Sequence, residues 1–308
     1  MSLFGRGIID KLKSKVSHKL TLPCPPYGNP AYWENVYKTL GPQDAYEWGS
    51  LCVSDVLQYQ YDTAKYADVL AKLGYHNQMK KNIPTDINTQ IKTNLTTTTF
   101  AETIGIHPYD DISANSKILL VGCGNSRFGE DLIENGWCRR SLTHRLNNSE
   151  SDDKSENESW KEQGKVIQVD VSQNALNSMS HRCKAFIDEG KMEFIHDDAT
   201  IMSSLENNTM DTVIDKGLID ALYCSQSYDQ IGDIMKSMYR ILQPSKHFIV
   251  FSFSKPEYIL QHMLQNNAKK QLWNSIQVRA LDTILLYRFE KKKKHEKKLT
   301  RRQKRIRI

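Results

Sequence analysis

The stretch "KILLVGCGNSRFGEDLIENGW", residues 117–137, joins an apolar run to a glycine-containing turn and a helical pattern. The apolar residues before the turn predict a buried strand, and residues 128–136 predict the helix that follows. Gly122 and Gly124 stand where the strand ends. They indicate either a tight strand-to-helix turn with no further purpose or a turn whose backbone lies against a ligand.

Strand and helix patterns alternate from this stretch onward. The predicted strands are 117–122, 165–170, 192–198, 210–217 and 246–254, and the predicted helices are 128–136, 172–186 with Ser172 as N-cap, and 228–242. Residues 275–280 and 283–290 predict a closing antiparallel hairpin. This alternation predicts an α/β fold with a doubly wound, mostly parallel sheet of seven strands. Such a sheet binds ligands at the carboxyl ends of its strands.

The rest of the chain predicts a single central domain with appendages. Residues 1–28 predict a flexible basic segment, and residues 29–290 predict the α/β domain. Two insertions are expected within it, a polar loop at about 62–99 and an acidic segment at about 141–164. Residues 291–308 predict a basic disordered tail.

The composition is typical of a soluble globular protein, with 39% hydrophobic and 25% charged residues among 308. No apolar run reaches the roughly 18 residues of a membrane span. The six cysteines form no C-x-x-C pair, which argues against a disulfide framework and against a structural metal site. We therefore expect no metal, no membrane contact and a reducing compartment. The cytoplasm is the first expectation, and a mitochondrial or nuclear location stays open.

The net charge of +6 is carried by the predicted tail. Residues 291–308 hold eleven Lys and Arg against one Glu, so the rest of the chain has a net charge of −4. A basic terminal tail is typical of a contact arm for an acidic partner or nucleic acid, or of a nuclear address. It says little about the chemistry of the central domain or about the oligomeric state.

Three kinds of nucleotide site can be compared with the glycine turn. A P-loop needs Lys and then Ser or Thr after its last glycine, but Glu130 and Asp131 follow Gly129. A dinucleotide fingerprint needs a third glycine where Arg127 stands. A site for S-adenosylmethionine needs no phosphate cradle. It needs a backbone without side chains beside the ligand, and this turn meets that requirement.

Acidic residues at the ends of the next two strands fit the same cofactor. Asp170 closes the second strand, where a carboxylate would accept hydrogen bonds from ribose hydroxyls. It lies 46 residues after Gly124, where about 20 is usual, and the acidic insertion accounts for the excess. Asp197 and Asp198 end the third strand, where a polar group would meet the adenine. Together these strand ends predict an S-adenosylmethionine site.

The same segments resemble a known group of enzymes. "ILLVGCGNS", "VIQVDVS" and "DTVIDKGLIDAL" are similar to motifs of the class I, seven-β-strand methyltransferases, which have a Rossmann-like fold, and more narrowly of the eukaryotic methyltransferase-like lysine methyltransferases. "YWENVY" and "YEWG" match an upstream aromatic segment of that group. The resemblance covers roughly residues 29–60 and 104–290. It implies methyl transfer to a protein lysine, with elongation factor 1-alpha or citrate synthase as the substrate. Leu120 and Leu218 depart from residues that are usual in the family.

The motifs and the resemblance together give the expected site residues. Asp220 and Asp215 are the expected catalytic residues, with Asp220 as the acid that faces the substrate. The expected cofactor-binding residues are Gly122, Cys123, Gly124, Asn125, Asp170, Val171, Asp198, Ala199, Asp215, Lys216, Trp33 and Trp48. With Tyr32 and Tyr46, the two tryptophans form either a lid over the site or the core of an N-terminal helix.

The sequence leaves other functions open. One is a methyltransferase that acts on RNA or a small molecule, and another is a non-catalytic protein that binds the cofactor. Residues 215–218, "DKGL", stand where base methyltransferases carry an N/D-P-P-Y/F signature, which argues against methylation of a base.

Overall fold

The computed structural model describes residues 25–41, 44–47, 67–75, 116–134, 164–265, 272–281 and 284–293. Within these ranges the strands are β1 Lys117–Val121, β2 Lys165–Asp170, β3 Met192–His196, β4 Met210–Lys216, β5 Leu242–Ser252, β6 Trp273–Leu281 and β7 Ile284–Lys291. The helices of the same ranges are α1 Pro30–Thr39, α2 Ala67–Lys72, α3 Phe128–Glu134, α4 Gln173–Arg182, α5 Lys184–Asp188, α6 Leu218–Cys224, α7 Tyr228–Ile241 and α8 Pro256–Leu264.

The strands form one seven-stranded sheet with the order β3-β2-β1-β4-β5-β7-β6. The first five strands along the chain pair in parallel, and β7 pairs antiparallel with both β5 and β6. This architecture confirms the predicted fold, a mostly parallel doubly wound sheet with a closing hairpin. The chain moves outward from β1 in both directions, so the strand order reverses between β1 and β4. A reversal of this kind leaves a crevice at the carboxyl ends of the two strands.

The core lies on both faces of the sheet. Leu119 and Val121 of β1 pack into one apolar cluster, and Ile118 and Leu120 pack into a second. Successive side chains of a strand point to opposite faces, so an apolar run with no polar alternation is expected where helices cover both sides. The uninterrupted apolar run of β1 is therefore explained by helices that cover both faces of the sheet.

Local capping chemistry explains where the helices beside the site begin. Asn29 caps α1, with its side chain accepting from the backbone N of Ala31, and Pro30 occupies the first helical position. Ser172 caps α4 and accepts from the N of Ala175, as predicted. None of the described helices is long and apolar enough to cross a bilayer.

Several elements differ from the sequence prediction. The helices α6 and α8 had not been predicted, and β5 begins at Leu242, four residues earlier than expected. The expected polar loop at 62–99 contains α2, and its described residues Leu70 and Tyr75 are buried in the main core. Lys291, taken as the first residue of the tail, is the buried last residue of β7. The predictions for residues 1–24, 141–163 and 294–308 concern parts of the chain outside the described residues, and the domain boundaries stay a prediction.

Candidate functional site

The turn between β1 and α3 is built on two glycines in the left-handed region of backbone conformation. Gly122 has a φ of 61° and Gly124 a φ of 54°, values that residues with a Cβ rarely adopt. A Cβ on Gly122 would lie 2.7 Å from the Cβ of Leu218, and one on Gly124 would collide with the hydroxyl of Tyr37. The glycines are thus required by the neighbouring walls of the site, a reason that the sequence alone did not reveal.

Asp170 fixes the turn from the end of β2. Its Oδ2 accepts from the backbone N of Gly124 and its Oδ1 from the N of Ser172, each at 2.8 Å. Burial raises the pKa of this carboxyl, while the hydrogen bonds from Ser172 and Gly124 oppose the rise. Because each carboxylate oxygen has a second lone pair, Asp170 can hold the turn and still accept from a ligand hydroxyl.

The two acids after β3 shape a second turn at the same edge. The carboxylate of Asp197 accepts from the backbone N of Asp198 and of Ser204, both at 2.7 Å. Burial acts to raise the pKa of Asp197, but the hydrogen bonds from Ser204 and Asp198 outweigh it and the pKa is lowered. The Oδ1 of Asp198 accepts from the backbone N of Thr200 at 2.8 Å. Both carboxylates therefore stabilise the turn that presents Ala199 to the cavity.

An aromatic roof, defined here as Tyr27, Trp33, Tyr37 and Tyr46, covers the crevice. Trp33 stacks on Tyr27 at 5.5 Å and on Tyr37 at 5.9 Å between ring centroids, and its Nε1 donates to the carbonyl of Tyr27 at 2.7 Å. Burial, followed by the charge of Asp170, raises the pKa of Tyr37, so its hydroxyl stays neutral. All four rings line the cavity. Tyr32 packs edge-on against Trp33, and Trp48 lies outside the described residues.

Polar clasps attach this N-terminal segment to the sheet. Asn125 accepts from the backbone N of Tyr46 at 2.8 Å and donates to the carbonyl of Asp44 at 2.7 Å. Its side chain is buried and is not among the described residues that line the cavity, and its two hydrogen bonds position the roof. Glu34 of α1 accepts from the Oγ of Ser172 and from the backbone N of Asn174. The part of Asn125 in cofactor binding stays a prediction.

A buried arginine supports the turn from below. The Nη2 of Arg182 donates to the carbonyls of Asn125 and Ser126 at 3.0 and 3.2 Å, and the same guanidinium pairs with Glu130 at 2.8 Å. Sequence reasoning missed Arg182, and also Glu34 and Glu47. The two glutamates were visible only as members of the quoted "YWENVY" and "YEWG" segments.

Asp215, an expected catalytic residue, is buried at the end of β4. Its Oδ1 accepts from the backbone N of Leu218 at 2.8 Å and its Oδ2 from the N of Ile219 at 3.1 Å. The carboxyl is fully buried, and this burial, with Asp220 adding to it against the two hydrogen bonds, raises its pKa to about 7. Asp215 therefore satisfies the first two backbone N–H groups of α6, and it is not among the described residues that line the cavity.

Asp220 is likewise turned away from the cavity. Only 3% of the residue is exposed. Its carboxylate accepts from the Oγ of Ser252 and from the backbone N of Phe253 at 2.8 Å, which ties α6 to the end of β5. This position does not agree with the expectation that Asp220 faces the substrate, because the carboxylate is buried and its oxygens are engaged at the end of β5. A catalytic role for Asp220 stays a prediction.

The walls enclose a cavity of about 960 Å³ of empty space, counting the solvent at its opening. Binding pockets for small molecules have a mainly apolar lining with a few placed polar groups. The lining includes most of the expected cofactor residues, namely Trp33, Gly122, Cys123, Gly124, Asp170, Val171, Asp198, Ala199 and Lys216. Their part in binding stays a prediction. A glycine turn that no Cβ could occupy, an acid beside it and a large partly apolar space fit S-adenosylmethionine.

No curated relative matches. A protein solved in connection with the conversion of a disulfide bond into a thioacetal group during echinomycin biosynthesis is 15% identical, with 87% of this chain and 94% of that chain covered and a TM-score of 0.44. A SAM-dependent methyltransferase from Methanosarcina mazei is 12% identical, with 60% and 96% covered and a TM-score of 0.41. A TehB-like SAM-dependent methyltransferase from Corynebacterium glutamicum is 13% identical, with 75% and 98% covered and a TM-score of 0.38.

The comparison that carries an assignment is with protein families. A family model described as "Methyltransferase domain" matches residues 112–303, which is more than half of the chain. The matched range begins just before β1 and contains the glycine turn, Asp170 and the acids after β3.

Proposed function

The chain belongs to the methyltransferase-domain family, and from this premise we propose that it transfers a methyl group from S-adenosylmethionine to the side chain of a lysine in another protein. The methyltransferase activity and the cofactor follow from the family, which confirms that part of the sequence prediction. The protein lysine is the part that we add. It is supported by the resemblance of "DKGLIDAL" and the upstream aromatic segment to lysine methyltransferases, and by the aromatic roof.

Three features of the chain would hold the cofactor. The backbone of the Gly122–Gly124 turn lies open to the cavity, Asp170 offers a carboxylate, and Ala199 leaves space after β3. When bound, the cofactor supplies an activated methyl on a sulfonium. The protein contributes no covalent group to such a transfer and must orient the acceptor in line with the methyl.

The aromatic roof is the observation that carries the lysine proposal. A lysine amine has an unperturbed pKa of about 10.4, so near neutral pH its reactive neutral form costs roughly 4 kcal/mol. Rings that exclude water from the amine disfavour the ammonium and lower this cost. Tyr46 lines the cavity and is 43% exposed. It therefore marks an opening through which a long apolar stem with a single nitrogen could enter.

The proton of the incoming ammonium needs an acceptor, and the described residues restrict the choice. The carboxylates that line the cavity in the described ranges are Asp170, Asp197 and Asp198, all at the ends of β2 and β3. Those of Asp215 and Asp220, beside β4, are buried in other contacts. We therefore propose that the ammonium loses its proton to bulk solvent at the opening beside Tyr46, before the amine enters the cavity. The rate should then rise with pH as the neutral fraction of the amine grows.

The decisive experiment uses labelled S-adenosylmethionine and a cell lysate in two forms, untreated and with its lysines chemically acetylated. We expect label in protease-sensitive material of the untreated lysate and its loss from the acetylated lysate, because acetylation removes the acceptor nitrogen. Purified elongation factor 1-alpha is the first substrate to test and citrate synthase the second. Label that resists protease and is lost with ribonuclease would exclude protein as the substrate. Protein label that survives acetylation would exclude lysine.

A further inference from the structure

Lys216 puts a positive charge into the wall of a cavity that must hold a cation. It is the last residue of β4, its side chain is only 8% exposed, and it lines the cavity. Its Nζ lies 5.7 Å from the centre of the Phe128 ring. An ammonium that is largely removed from water needs a partner of opposite charge.

Glu47 supplies that charge from the N-terminal segment. Its carboxylate pairs with the Nζ of Lys216, and it also accepts from the backbone N of Arg127 at 2.7 Å and from the Oγ of Ser126 at 2.8 Å. One side chain therefore joins the roof to the turn after β1 and to the end of β4. The side chain of Glu47 is 39% exposed, so the pair sits where the cavity wall meets solvent.

We propose that Glu47 is a positioning residue that compensates the charge of Lys216. With this compensation the cavity binds the cationic cofactor and its neutral product, S-adenosylhomocysteine, with similar affinity. S-adenosylmethionine carries a sulfonium, and S-adenosylhomocysteine carries a neutral thioether on an otherwise similar frame. An uncompensated ammonium in the wall repels the sulfonium of S-adenosylmethionine but not the neutral thioether of S-adenosylhomocysteine. This inference depends on the cofactor and holds for any acceptor.

The test measures affinity for the two molecules separately and needs no turnover. Calorimetry would give Kd for S-adenosylmethionine and for S-adenosylhomocysteine with the wild type, Glu47→Gln, Lys216→Met and the double variant. Glutamine keeps the shape and one acceptor oxygen and removes the charge. We expect the ratio of the Kd for S-adenosylmethionine to the Kd for S-adenosylhomocysteine to rise on the order of tenfold in Glu47→Gln. The rise should be smaller at high salt. The ratio should return close to the wild-type value in the double variant.

Asp131 provides the matched control. Burial, followed by the negative charge of Glu47, raises the pKa of the Asp131 carboxyl, which places this acid in the same neighbourhood, and it does not line the cavity. Asp131→Asn should leave the Kd ratio unchanged. The thermal melt of each variant checks the fold. Equal weakening of both molecules in Glu47→Gln, or a raised ratio that persists in the double variant, would overturn the proposal and leave Glu47 as a structural clasp.

Discussion

Gly122 and Gly190 have similar backbone conformations in different surroundings. Their φ values are 61° and 71°, but a Cβ would meet Leu218 at the first position and nothing within 4 Å at the second. Gly190→Ala should therefore lower the free energy of unfolding by about 1–2 kcal/mol, the cost of a left-handed residue with a Cβ. Gly122→Ala adds a steric clash of about 1–3 kcal/mol and should also weaken cofactor binding. Chemical denaturation and calorimetry measure both effects. Equal losses of stability would mean that Leu218 moves aside without cost.

Asp170 is the residue on which the turn and the predicted ribose contact both depend. Asp170→Asn keeps the shape, but its amide cannot accept from Gly124 and Ser172 with both terminal atoms. We expect cofactor affinity to fall about ten- to a hundredfold, which corresponds to the roughly 1.5–3 kcal/mol of a charged hydrogen bond. Asp188→Asn, on the exposed surface of α5, is the matched control and should bind normally in calorimetry. Wild-type affinity in Asp170→Asn would remove this residue from the cofactor site.

Asp215 gives the stability a pH dependence of unusual sign for an acid. Its pKa is about 7 in the folded chain and near 3.8 without burial. The folded chain therefore binds the proton more tightly, and the contribution of Asp215 to the free energy of unfolding falls as pH rises from about 4 to about 7. Above that window the contribution is constant. The difference in unfolding free energy between the wild type and Asp215→Asn, measured by denaturant titration, should decline across this range. A flat difference would show that the carboxyl is ionised throughout.

At the scale of elements, Asp220 connects a helix to a strand. Asp220→Asn should lower the free energy of unfolding by about 1–3 kcal/mol, because the amide cannot accept from both Ser252 and Phe253. Turnover of the folded fraction should be largely retained, since the carboxylate does not line the cavity. Asp233→Asn, in an exposed pair with Lys236, should change stability by less than about 1 kcal/mol. Loss of turnover without loss of stability would restore a catalytic role for Asp220.

The sequence predicted well those elements whose type and bounds follow from a single hydrophobic pattern. The apolar runs of β1 and β2 end at a glycine and an acid, so their bounds were within a residue of the structure. The helix α8 was missed although Pro256 begins it and Ile259, Leu260 and Met263 follow at helical spacing. No element was predicted for residues 255–274, where these helix signals lie.

The candidate site was predicted unevenly for a related reason. Strand ends place residues at one edge of a sheet, so Gly124, Asp170 and Asp198 could be assigned to a common cavity from their position alone. Beyond the end of a strand, the direction of a side chain depends on packing. This direction cannot be deduced from the position of the residue in the sequence. Asp220 and Lys216 flank the same turn, yet one is buried against β5 and the other lines the cavity.

At the scale of the molecule, Lys291 marks how far the packed domain extends. Its Nζ donates to the carbonyl of Leu242 at 2.6 Å and to Asn208 at 2.8 Å, and its backbone pairs with Trp273. A chain truncated after Lys293 should keep its stability and cofactor affinity. A chain truncated after Glu290 should lose about 1–3 kcal/mol of unfolding free energy with these hydrogen bonds. Thermal melts would measure the stability of the two truncated chains, and calorimetry would measure their cofactor affinity. Lost cofactor binding in the longer version would place part of the basic tail in the site.

The aromatic roof also has a consequence for how the protein is made. Asn125, which holds the backbone of Tyr46, is synthesised 79 residues after it, and Lys216 follows Glu47 by 169 residues. At roughly 5–20 residues per second on the ribosome, Lys216 is synthesised on the order of ten seconds or more after Glu47. During that interval Tyr27, Trp33 and Tyr37 have mainly one another to stack on. The aromatic roof is therefore synthesised before the rest of the candidate site, and it can complete its contacts only after β4 has been made.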